Sequence, residues 1–316
     1  MKRTSVDFKK IFKMHIFIFM ILLLGLFTSC SNQKDSTPVV YNAVCVTSKK
    51  EIDVKLFKDV GAEEKEWRIQ SCAIDEKNGI LYKLNSTDEV VVYDLWTKAF
   101  VSKIKKPNKT GHDNDACMIE DKMYLVGSKP TSYLTEIQKL YCWNLSTNTI
   151  EKLKVDGIED AEGRAVRCLM GVSAYINNHL LLVTQDYIVD DSHGVNHDET
   201  DKLCIYDYNI ETEQCDKIFE TKWDAVFVQG ATYIDGKVFI ACNIQTEKHA
   251  SNYKGIEIKV VSLEQQTIIE VIHIEGFFEA EGLENYKKDD DLFLVFGLSN
   301  PGLVSQILTM KLEDLN

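Results

Sequence analysis

Eight polar residues stand out by type and interval: Arg68 and Gln70, His112 and Asn114, Arg167, Gln229, and Glu279 with Glu281. Each group sits at the start of an apolar run, and residues two apart on a strand point the same way. Together they form the candidate ligand-binding ring. Carboxylate and amide oxygens suit calcium, so Asn114, Gln229, Glu279 and Glu281 are the candidate cation ligands. His112 titrates near neutral pH. With Glu279 and Glu281 it is the catalytic set that an enzyme would use here. The competing reading is that all eight hydrogen-bond to neighbouring strands and to channel water, as buried polar groups must. A second cluster, residues 190–199, carries His193 and His197 among acids. No helical pattern puts the two histidines on one face, so a solvated acidic loop is the favoured reading. There is no G-x-S-x-G, no H-E-x-x-H and no glycine-rich phosphate loop.

These residues recur because the chain repeats. Alternation of period two dominates, and one strand returns five times. It reads Val91-Val92-Tyr93-Asp94-Leu95, Tyr141-Cys142-Trp143-Asn144-Leu145 and Cys204-Ile205-Tyr206-Asp207-Tyr208, then Val260-Val261-Ser262-Leu263 and Thr309-Met310-Lys311-Leu312. From Asp94 the steps to Asn144, Asp207, Ser262 and Lys311 are 50, 63, 55 and 49 residues. A period near fifty with four strands per unit predicts an all-β propeller of five blades. Inner strands are expected at 70–74, 114–119, 171–176, 229–234 and 281–283, so the ring residues line a central channel. Gly171, Gly230 and Gly282 let the backbones crowd the axis. The fifth unit lacks an outer strand, and 52–57 is a spare one at the amino end. Pairing them closes the ring and removes an open edge. The strand at 39–46 leaves a sixth, incomplete blade as the alternative.

The amino end carries an address. Five bases and one acid precede an apolar run from Ile16 to Phe27, then Thr28, Ser29 and Cys30. This is a secretory leader, too short for a spanning helix. Phe27-Thr28-Ser29-Cys30 resembles the lipobox of bacterial lipoproteins. That resemblance implies removal of residues 1–29, a lipidated Cys30, a flexible tether over 30–38 and a propeller over 39–316. Without the leader the chain has 31 bases against 48 acids, a net charge of −17. Nucleic acid is excluded as a partner, since phosphate binding needs a basic face. Eight further cysteines contain no C-x-x-C pair, and they read as buried small hydrophobes. A bridge between Cys204 and Cys215, on one predicted hairpin, stays open.

Gly111-His112-Asp113-Asn114-Asp115-Ala116 resembles the start of a blade in five-bladed propellers of phage receptor-binding and teichoic-acid-related surface proteins. Phe227-Val228-Gln229-Gly230-Ala231-Thr232-Tyr233 and Phe278-Glu279-Ala280-Glu281-Gly282-Leu283 are similar to later strands of that family. The resemblance implies binding of surface glycans more than catalysis. The last two stretches also resemble glutaminyl cyclotransferases of the five-bladed type, although Ala241-Cys242-Asn243 stands where their Ser-Thr-Gly turn would be. The expectation is a non-catalytic binding propeller, lipid-anchored in the bacterial envelope, for a glycan or an envelope protein. A calcium ion in the channel belongs to that expectation, and a hydrolase or cyclotransferase-like enzyme is the alternative.

Overall fold

The computed structural model describes residues 43–45, 54–56, 69–85, 88–107, 110, 112–128, 139–158, 165–189, 195–196, 202–223, 227–245, 253–275, 279–299 and 306–312. The leader, Cys30, Arg68, His193 and His197 lie outside the described residues.

Two short strands come first, β1 (Ala43–Cys45) and β2 (Val54–Leu56). Blade one is β3 (Ile69–Asp75), β4 (Ile80–Asn85), β5 (Glu89–Asp94) and β6 (Phe100–Lys105). Blade two is β7 (His112–Ile119), β8 (Lys122–Ser128), β9 (Lys139–Asn144) and β10 (Thr149–Lys152). Blade three is β11 (Ala165–Ala174), β12 (His179–Val189), β14 (Lys202–Asn209) and β15 (Gln214–Lys222), with β13 (Val195–Asn196) on the end of β12. Blade four is β16 (Phe227–Ile234), β17 (Lys237–Gln245), β18 (Tyr253–Ser262) and β19 (Thr267–Glu275). Blade five is β20 (Glu279–Lys288), β21 (Asp291–Ser299) and β22 (Gln306–Lys311), completed by β2. All neighbours are antiparallel, and the fold is a five-bladed β-propeller.

Burial explains the strand patterns. β4 is buried along nearly its whole length, because both faces of a blade pack against neighbouring blades. Outer β6 is mostly exposed, with only Ser102 and Ile104 partly covered. Five apolar clusters fill the five gaps between blades. The cluster joining Ile69, Leu81 and Tyr93 of blade one to Tyr286, Val295 and Ile307 of blade five closes the circle. Each fully buried leucine or isoleucine contributes about 1.5–3 kcal/mol.

The expected closure is present: Val54, Lys55 and Leu56 pair with Met310, Thr309 and Leu308. The sixth-blade alternative is not. β1 pairs with β19, so residues 43–45 supply a fifth strand to blade four. The repeat marker of blade three also moves. β5, β9 and β18 end in Asp94, Asn144 and Ser262, whose side-chain oxygens accept the amides of Thr97, Thr147 and Gln265 in the next turn. In blade three Asn209 does this for Glu211 and Thr212, while Asp207 lies 2.7 Å from His179. The hairpin bridge is ruled out by register. Cys204 stands opposite Glu220 and Cys215 opposite Tyr208, so the two sulfurs are far apart along the strands. All seven cysteines whose side chains are described are free, and only Cys168 is not fully buried.

Candidate functional site

Every inner strand breaks register at one place. The break skips Gln70, Asn114, Met170 and Gln229 in blades one to four, and Gly282 with Leu283 in blade five. A bulge leaves an extra residue unpaired and bends its strand. Five bulges at one level therefore turn backbone amides toward the axis, and Asp115 receives them. Its Oδ2 accepts the amides of Val172 and Ala231, both at 2.9 Å, and its Oδ1 accepts Leu283 at 3.2 Å. One carboxylate from blade two thus ties blades three, four and five. The approach needs small residues. A Cβ on Gly230 would lie 2.4 Å from the Leu283 nitrogen, and one on Gly282, at φ +71°, 2.9 Å from Ser71 Oγ.

Burial pushes the Asp115 carboxyl above its usual range, while the amides aimed at it oppose that rise. Glu284 is buried beside it. Desolvation and then the Asp115 charge push it well up, against one opposing amide from Asn285. Both Asp115 oxygens accept N–H groups, which favours its ionised form. Asp115 is thus the better hydrogen-bonded of the two carboxyls.

The axis divides two mouths. The expected ring falls at the strand starts. Gln229 Nε2 donates to Glu279 Oε1 at 2.9 Å, and Asn243 Nδ2 donates to the same oxygen at 3.5 Å. Asn243 Oδ1 in turn accepts the Ala280 amide at 2.8 Å. Asn114 donates to the Met170 carbonyl across blades two and three. Gln70 donates to its own neighbour, the Ile69 carbonyl, at 3.1 Å. Arg167 grips Asp186 at 2.6 and 2.9 Å and Tyr206 at 3.2 Å, all within blade three. Glu281 is buried in blade five. His112 is partly buried, and burial lowers its pKa against the opposing pull of Asp113. Asp113 itself is held by buried Lys106 and Thr110. The structure thus joins Gln229 to Glu279, and it points Asn114, Gln70 and Arg167 at separate partners. Among the described residues no three histidine, cysteine or acidic side chains come together as metal ligands.

Tight turns surround the other mouth, at the strand ends. Here the surface opens into a depression of about 850 Å³. Asp75, Glu76 and Lys77 line it from blade one, and Glu120 and Asp121 from blade two. Tyr82 and Tyr233 also line it, and so does Glu284, with 7% of its surface exposed. Glu284 Oε1 meets no donor of the protein. Asp75 is already committed, its two oxygens accepting the Asn78 amide and side chain at 3.0 and 2.7 Å. Ser173 Oγ accepts the Tyr233 amide at 2.9 Å and donates to the Ala174 carbonyl. None of the turn-side residues was a sequence candidate. The available signal was the aligned column Ser71, Asp115, Gly171, Gly230 and Gly282, in which one acid replaces a small residue.

The class defined by this arrangement is a five-bladed propeller whose inner strands meet at Asp115, with an open depression at the turn side. No protein-family model matches the sequence, and no curated protein does.

Proposed function

We propose that the protein is a non-catalytic binding propeller of the bacterial envelope, anchored by a lipid on Cys30, with a glycan or an envelope partner as its ligand. The observation that carries the reading is the turn-side depression. Its 850 Å³ lies within the range of sites for small ligands, about 300–1,000 Å³. Its acids, amides and tyrosine rings offer acceptors and flat surfaces to a polyhydroxylated molecule. The resemblance of the blade starts to phage receptor-binding and teichoic-acid-related propellers supports a glycan. The ring around the strand starts then serves chiefly to join blades.

The test is glycan-array binding by the full-length protein in detergent micelles. Binding that is lost when Tyr233 and Asn285 are both changed to alanine supports the reading, and binding indifferent to that change counts against it. Incorporation of a labelled palmitate analogue into the wild type, abolished in Cys30→Ser, tests the anchor. A calcium ion held by Asn114, Gln229, Glu279 and Glu281 predicts a lower melting temperature after chelation. An unchanged melting temperature removes calcium from the proposal.

A further inference from the structure

We propose that the turn-side depression is a site for a small organic ammonium, a protonated primary amine, with Glu284 as its buried counter-ion. This rests on the reading of the protein as a binding propeller and names the ligand chemistry of that mouth.

Three observations meet here. The first is sign. Asp75, Glu76, Glu120 and Asp121 line the depression against a single base, Lys77. A concave surface lined by one sign of charge over a low-dielectric wall concentrates the opposite ion. The second is the floor. Glu284 is more than nine-tenths buried, lines the depression, and holds an oxygen that no donor of the protein reaches. An ammonium brings three donors. The third is size. The opening fits an organic molecule rather than a bare ion, and the acids around it do not converge as metal ligands. Tyr82 and Tyr233 present ring faces or edges to the same space, and aromatic faces attract cations.

The electrostatics of the floor add a proton to the reaction. From blade two Asp115 and Cys117 face Glu284, and from blade one Cys72 does. The rim contributes Asp75, Glu76 and Lys77 from one turn and Glu120 and Asp121 from the next. Glu284 is protonated before binding. When the ammonium arrives, the Glu284 O–H bond breaks, the proton leaves to solvent, and the carboxylate pairs with the cation. Affinity therefore rises with pH until Glu284 ionises in the free protein.

The experiment is titration calorimetry on the full-length protein in detergent micelles. The probes are glucosamine, glucose, N-acetylglucosamine and putrescine, in buffers of different ionisation enthalpy. The expected result is that glucosamine and putrescine bind about tenfold or more tightly than the neutral sugars and release about one proton per amine bound. Preference for glucosamine over putrescine assigns the amine to a sugar, and the reverse assigns it to an aliphatic amine. Glu284→Gln removes both the preference and the proton release. Should that variant fold poorly, Glu120→Gln with Asp121→Asn on the exposed turn weakens amine binding several-fold and leaves the proton release intact. Equal binding of glucosamine and glucose overturns the ammonium site and leaves the glycan reading standing. Amine binding with no proton release, or unchanged in Glu284→Gln, overturns it as well. Failure of every probe overturns the ammonium site, while the wider reading fails only with a silent glycan array.

Discussion

The two mouths of this channel are built from the same five inner strands and use polar residues in opposite ways. At the strand starts Gln229, Glu279, Asn243 and Asn114 are buried or half-buried and reach across to neighbouring blades. At the strand ends buried Glu284 lines an open depression and holds one oxygen that no donor of the protein reaches; Gln70 and Gln229 hold such an oxygen at the strand starts as well. Tight turns at the strand ends fix themselves through side chains such as Asp94, Asn144 and Asn209. The lesson is that neither polar character along a propeller axis nor an unmet group marks a ligand site by itself; Glu284 differs from Gln70 and Gln229 in also lining the depression.

The comparison can be broken or sharpened by mutation. The largest effect is expected at Asp115, between the mouths. Asp115→Ala leaves three cross-blade amides without an acceptor and lowers stability by about 3–5 kcal/mol, measured by urea unfolding. Gly230→Ala drives a Cβ into the blade-five backbone and lowers stability by about 1–3 kcal/mol in the same assay.

Next comes pH. Asp115 and Glu284 both hold protons more tightly when folded than when unfolded. Their stabilising effect is complete below the unfolded carboxylate range and is lost as pH rises through the folded values. Unfolding free energy should therefore fall as pH rises from the ordinary carboxylate range through the raised folded values, and Glu284→Gln should flatten that fall.

At the strand starts Gln229→Ala costs about 1 kcal/mol and leaves ligand binding at the turn side unchanged. If it abolishes binding instead, the assignment of roles to the two mouths is reversed. The smallest effect is expected on the outside. Phe100→Ser, on the exposed edge of blade one, changes stability by no more than about 0.5 kcal/mol.

Much of the fold was legible in the sequence, because each blade repeats its apolar run and its turn residue. The closing strand was legible for the same reason, since counting strands left one spare at the amino end and one missing from the fifth unit. The axis was less so. Around Asp115 the chain reads His112-Asp113-Asn114-Asp115, and simple alternation cannot say which of four polar residues faces inward once a bulge resets the phase. Asp113 goes to Lys106, Asn114 to blade three, and Asp115 to the centre. Glu284 was hidden by the same device. The two-residue break in blade five shifts its strand's pairing, so that a residue that looked like the polar half of an alternation is turned into the core. Asp207 was mistaken for the turn residue because Tyr208-Asn209 extends that strand by two positions.

The pairing of Val54–Leu56 with Gln306–Lys311 has a kinetic meaning. It joins a segment near the start of the described chain to one at its end, and bringing such distant segments together carries a closure entropy that grows with the logarithm of the intervening length. Folds dominated by contacts of this range form slowly. The first four blades are complete before the final strand exists, but the circle stays open until that strand is made. A chain shortened by its last ten residues would keep four blades and lose the clasp.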